Sequence, residues 1–163
     1  MTGGSLAGKV VAIIGHGDDL HRAIAVAAAE AGADVALATT ERSQSEGYGA
    51  NSIANEIWAI GREHFVSETD ESNAGEMEAF ASDVWDRLGG CALIVTARCA
   101  APDVALGAFA GRMESKGGAC LVVINGERPR PAAAQKAFGG ASVQVIEETD
   151  PSETAKAVLE LLL

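Results

Sequence analysis

The sequence predicts an α/β protein: a parallel sheet of about six strands with helices packed on both of its faces. Three observations predict it. Short apolar runs of strand length, of which Val10 to Ile14 is the first, alternate along the chain with longer segments whose apolar residues recur at helical spacing. Glycines and helix-capping residues punctuate that alternation where one element should give way to the next. A chain of 163 residues, 48% of them hydrophobic, is long enough to bury an ordinary core within one domain.

The elements follow in order. Val10 to Ile14 is the first strand, Leu20 to Ala31 a helix that stops at Gly32, and Asp34 to Ala38 the second strand. Thr39 to Ala50, rich in Ser, Gly and Glu, reads as a mobile loop, after which Ile53, Ile57 and Ile60 mark a helix stopped by Gly61. His64 to Ser67 is a short third strand. Asn73 and Glu76 then form a capping box for a helix whose apolar face is Met77, Phe80, Ala81, Val84, Trp85 and Leu88, ending at Gly89 and Gly90. Cys91 to Val95 and Cys120 to Ile124 are the fourth and fifth strands, separated by a helix from Pro102 to Ser115. A short helix, Ala132 to Phe138, precedes the sixth strand, Ser142 to Ile146. The last helix has Asp150 as cap, Pro151 in its first turn and Glu153 closing the box. Residues 1–8 read as a flexible N-terminal tail. Strands joined by helices imply right-handed crossovers, hence a three-layer Rossmann-like fold with strand order 3-2-1-4-5-6 and any ligand at the carboxyl ends of the strands.

Charge and cysteine content narrow the function classes. A formal net charge of −11 disfavours a nucleic-acid backbone as partner. No apolar run reaches the roughly 18 residues of a membrane span, and the opening MTGGSLAGK lacks a hydrophobic signal region. Cys91, Cys99 and Cys120 are odd in number and lack C-x-x-C spacing, as expected of reduced thiols in a cytoplasmic protein. His16, Asp18, Asp19 and His21 are metal-ligand types, but a turn running into a helix splays them apart, so no metal site is expected.

The stretch Leu6 to Ala25, LAGKVVAIIGHGDDLHRAIA, resembles the opening of the short-chain dehydrogenase/reductase family, T-G-x-x-x-G-x-G followed by a helix that begins R-A-I-A. Gly15 keeps the first glycine and Arg22 to Ala25 keep the helix, while Ile14, Asp19 and His21 replace the threonine and the later glycines. The segments ANEIWAIGRE (Ala54 to Glu63), Thr69 to Ser72, Leu93 to Val95 and Asp150 to Leu162 are similar to later parts of the same family. The resemblance implies a cofactor set of Gly15, Gly17, Asp19, Thr39 and Arg42, with Ser67 or Glu68 at the adenine-orienting position and Thr96 to Cys99 in place of N-N-A-G. Glycines in such a turn let backbone N–H groups approach phosphates at a helix N-terminus. A carboxylate at Asp19 is expected to accept those bonds as an N-cap, and Asp18 adds repulsion, whereas Gly17 leaves room for a rearranged turn. Thr39 and Thr40 replace the acid that favours NAD, and Arg42 suits either a 2′-phosphate or solvent. NAD(P) is therefore expected to bind weakly or not at all.

Of the catalytic set the resemblance implies, Asn125 stands at the serine and Ala132 at the tyrosine, and Lys136 alone survives; the sole tyrosine, Tyr48, lies elsewhere. The chain accordingly reads as a truncated, degenerate member, with no catalytic residues assigned. Arg98, Arg128, Arg130 and Lys136 follow the fourth and fifth strands and suit an anionic small molecule, or pair locally with Asp103, Glu127, Glu147 and Glu148. The function expected is a non-catalytic binding or assembly subunit, the alternative being an NAD(P)-binding oxidoreductase with altered chemistry. The expected partner is a second copy, or a full-length paralogue in a heterodimer, held through the last helix with Leu161 and Leu163 and the sixth strand.

Overall fold

A computed structural model describes residues 6–39, 44–70, 72–97, 102–113, 119–124, 142–147 and 150–160. The strands β1 (Val10–Gly15), β2 (Asp34–Thr39), β3 (His64–Glu68), β4 (Leu93–Ala97), β5 (Ala119–Ile124) and β6 (Ser142–Glu147) form one sheet in the order β3-β2-β1-β4-β5-β6, every pairing parallel. The helices are α1 (Asp19–Glu30), α2 (Gln44–Ile60), α3 (Ala74–Leu88), α4 (Pro102–Met113) and α5 (Pro151–Glu160). The architecture is the one expected.

Alternation along β1 separates the two layers, because successive strand side chains leave opposite faces. Val10, Ala12 and Ile14 pack on α3 and α4 through Met77, Phe80, Val84, Leu106 and Phe109. Phe80 sits between Phe65 and Phe109, with ring centroids 5.9 and 5.8 Å away. Val11 and Ile13 face α1, α2 and α5, whose Ile24, Ile53, Ile57, Ala155 and Val158 close the second core. Each of the larger side chains contributes roughly 1.5–3 kcal/mol through burial.

Several boundaries differ from the sequence reading. The expected loop from Thr39 to Ala50 is helical from Gln44, so α2 is much longer than Ile53 to Ile60. Ser, Asn and Gly are poor helix formers, but the buried stripe Ala50, Ile53 and Ile57 anchors the helix from within, and packing outweighs propensity. The fourth strand begins at Leu93 instead of Cys91: the Ala92 N–H bonds to the Val10 carbonyl at 2.8 Å, and the buried Cys91 thiol donates to the Leu93 carbonyl. Leu6, placed in the tail by sequence, is fully buried, and its N–H donates to the Ala31 carbonyl at 2.8 Å. Asn73 caps α3 by accepting from the Glu76 N–H at 3.0 Å. The return bond of that capping box is rerouted: Glu76 accepts from the Asp70 N–H, because the Asn73 N–H is already given to the Asp70 carbonyl. Asp150 caps α5 as expected, accepting from the Ser152 and Glu153 N–H groups at 3.0 and 3.1 Å. The predicted helix from Ala132 to Phe138 lies outside the described residues. Among those residues no helix is long and apolar enough to cross a membrane.

Candidate functional site

The carboxyl ends of the first three strands lie in one row. Gly15 of β1 is the register partner of Thr39 of β2, and Thr39 is the partner of Glu68 of β3. On the other side of β1, Ile14 pairs with Thr96 of β4. β1 is therefore flanked by β2 and β4 at the point where the winding reverses, the crevice in which open α/β sheets hold ligands. Thr39, Asn51, Val66 and Glu68 line a polar recess of about 440 Å³ at the β2 and β3 end of that row.

From Gly15 the chain passes through His16, Gly17 and Asp18 into α1. Gly17 has φ of 71°, a backbone conformation costly for any residue with a Cβ. Asp18, not Asp19, is the helix cap: its Oδ1 accepts from the His21 N–H at 3.0 Å. The expectation for Asp19 is corrected by one residue because Asp18 is extended, with φ of −98°, whereas Asp19 is already the first helical residue. Asp19 is exposed and borders a groove of about 550 Å³ between α1 and α5, together with Ala23, Asp150 and Lys156.

The ring of His21 fills the turn. His21 is fully buried, and its Nδ1 accepts from the Gly17 N–H at 3.0 Å. A Cβ added at Gly15 would lie 2.8 Å from His21 Cγ and 2.9 Å from Nδ1, so the imidazole lies directly against the Gly15 backbone. The acceptor role at Nδ1 assigns the ring to the neutral tautomer with its proton on Nε2. Burial dominates the ionisation and lowers the pKa from 6.5 to about 4; the Asp18 carboxylate opposes this, while His16 adds to it. The Ile13 backbone also favours the proton, and Nε2 has no hydrogen-bond partner among the described residues.

The second helix closes over this turn. A Cβ at Gly49 would run into the Gly17 carbonyl oxygen and lie 3.3 Å from the Gly17 carbonyl carbon, so α2 meets the turn backbone to backbone. Farther along, Arg22 of α1 forms a bidentate pair with Glu56 of α2 at 2.6 and 2.7 Å. That hydrogen bond holds the Glu56 carboxyl below its usual range and raises the Arg22 guanidinium.

Of the residues nominated from sequence, Gly15, Gly17 and Thr39 gather at the carboxyl edge, and Glu68 joins them through the register. Asp19 does not. Arg42, Arg98, Asn125, Arg128, Arg130, Ala132 and Lys136 lie outside the described residues, as does the side chain of Tyr48. His16, Asp18 and His21 do not converge on a common point: Asp18 caps the helix, His21 lies beneath the turn, and no three metal-ligating side chains meet among the described residues. The sequence misses three contributors: His21 as occupant of the turn, Gly49 and Asn51; Thr96, which the resemblance sets at the N-N-A-G position, has a buried Oγ1 with no hydrogen-bond partner among the described residues. The separation of Gly17 and His21, one helical turn, was the available signal for the first.

No protein-family model and no characterised protein sequence matches the chain. Solved structures do. A metagenomic short-chain oxidoreductase in complex with NADP is similar at a TM-score of 0.77 and 20% identity, over 97% of this chain and 92% of that one. An alcohol dehydrogenase from the archaeon Thermococcus sibiricus, complexed with 5-hydroxy-NADP, gives 0.72 and 21%, over 94% and 90%. The citronellol catabolism dehydrogenase of Pseudomonas aeruginosa gives 0.78 and 14%, over 99% and 90%. At these identities the likeness establishes architecture, and the chain has the fold of the short-chain dehydrogenases/reductases.

Proposed function

We propose that this chain is an NAD(P)-site protein of the short-chain-dehydrogenase type whose dinucleotide turn is closed at rest by its own His21. The structural likeness to NADP-bound oxidoreductases supports the ligand class, and the Gly17 N–H to His21 Nδ1 bond carries the closure. With the ring in place the turn does not accommodate a pyrophosphate: the Gly17 N–H is taken by His21 and the His21 N–H by Asp18, so one donor of the turn and one of the helix N-terminus are already satisfied. Binding then requires the imidazole to leave Gly15, with the Thr39, Asn51 and Glu68 recess receiving the nucleoside end. Asn125 and Ala132, where the family resemblance implies serine and tyrosine, leave its usual proton-transfer set outside this reading.

A second reading, a non-catalytic binding or assembly subunit, is favoured by the same self-satisfied turn taken as a permanent state. Fluorescence titration with NADH and NADPH separates the two. The first reading expects weak binding by the parent chain and about tenfold tighter binding by His21→Gly, the size of one released buried hydrogen bond. A folded His21→Gly protein that binds neither nucleotide would overturn it in favour of the second.

A further inference from the structure

The β1–α1 turn is closed from a second direction, by α2. This helix has its buried stripe, Ala50, Ile53 and Ile57, against the sheet. Its first turns cross the carboxyl edge at Asn51, beside Thr39 and Glu68, and reach Gly17 at Gly49. Nothing larger than glycine fits there, since a Cβ would collide with the Gly17 carbonyl oxygen, a backbone atom that cannot rotate away. By contrast, a Cβ added at the α4 glycine, Gly107, would have nothing within 4 Å. Gly49 is thus a poor helix former kept at a point of contact, while the Arg22–Glu56 pair ties α2 to the helix that the turn begins.

We propose that the N-terminal part of α2 is an autoinhibitory strap seated on the β1–α1 turn through Gly49 and Gly17, anchored by Arg22–Glu56, and that it must lift before a phosphate-bearing ligand reaches the turn. The identity of that ligand as a dinucleotide rests on the reading above; the strap does not. Because the strap meets the carbonyl of Gly17, the residue whose N–H is bonded to His21, lifting it frees the same stretch of backbone that the imidazole holds.

The test compares Gly49→Ala, Glu56→Gln and the control Gly107→Ala in the full chain by amide hydrogen exchange, with NADPH titration alongside. The added methyl at Gly49 forces the helix off the turn, so exchange at Gly17 and along the first turns of α2 should quicken by about tenfold. Glu56→Gln should shift it in the same direction by less, and Gly107→Ala should leave it unchanged. Faster exchange with tighter NADPH binding supports strap and ligand together. Faster exchange with no NADPH binding, in these variants and in His21→Gly, supports the strap and overturns the nucleotide reading. Unchanged exchange at Gly17 in folded Gly49→Ala overturns the strap; should that variant not fold, unchanged exchange in Glu56→Gln does so.

Discussion

Acid should unseat His21, and the size of the effect follows from its burial. The imidazole is neutral in the folded chain because burial lowers its pKa from 6.5 to about 4, and because Nδ1 must stay unprotonated to accept from Gly17. A depressed histidine pKa means that the unfolded chain binds the proton more readily, so stability is complete above pH 6.5 and falls as pH drops toward 4. At about 1.36 kcal/mol for each pH unit between those values, the full loss is about 3 kcal/mol. Protonation also deletes the Gly17 bond, which couples this loss to opening of the turn. Urea unfolding, followed by the fluorescence of Trp58 and Trp85, should be measured for the parent and His21→Gln at pH 7, 6, 5 and 4.5. Glutamine cannot titrate, yet it offers an oxygen to the Gly17 N–H. Carboxylates that titrate in the same window contribute to both proteins, so the difference between the two curves isolates His21. The parent should lose stability relative to the variant below about pH 6.5. Parallel curves would refute it.

Two further substitutions probe the same turn. Asp18→Ala should cost about 0.5–2 kcal/mol through loss of the N-cap, whereas Asp19→Ala should stay within about 0.5 kcal/mol, as for an ordinary exposed position; equal costs in chemical denaturation would return the cap to Asp19. Gly15→Ala should cost about 1–3 kcal/mol by driving a methyl into the His21 ring, and pairing it with His21→Ala should recover part of that cost, which a double-mutant cycle reads directly.

The sheet order and both capped helix starts, at Asn73 and Asp150, were legible because strand period, glycine stops and cap residues are local signals. The extent of α2 was not. Its first turns, with Gly47, Gly49 and Ser45, have a loop's composition and become helical only because Ala50, Ile53 and Ile57 find a core to bury in. The departures from the resembled glycine pattern are equally legible in the sequence, but the side chain that fills the turn is not the one expected, Asp19. Asp19 was the conspicuous capping residue, yet backbone geometry gives that role to Asp18 and directs Asp19 to the α1–α5 groove. Nothing in the local pattern shows that the side chain of His21 lies beneath the turn with no solvent exposure. Gly49 and Gly17 meet through the fold and not through sequence proximity.

Whether the turn is closed is decided by the state of one imidazole, which nitrogen-15 NMR of the histidine rings reports at neutral pH, with and without NADPH. The free protein is predicted to show His21 neutral, with its proton on Nε2 and Nδ1 accepting from Gly17, and NADPH should shift both the His21 ring and the Gly17 amide. A His21 ring protonated on Nδ1, or NADPH-induced shifts that leave Gly17 and His21 untouched, would contradict the claim that this side chain closes the nucleotide turn.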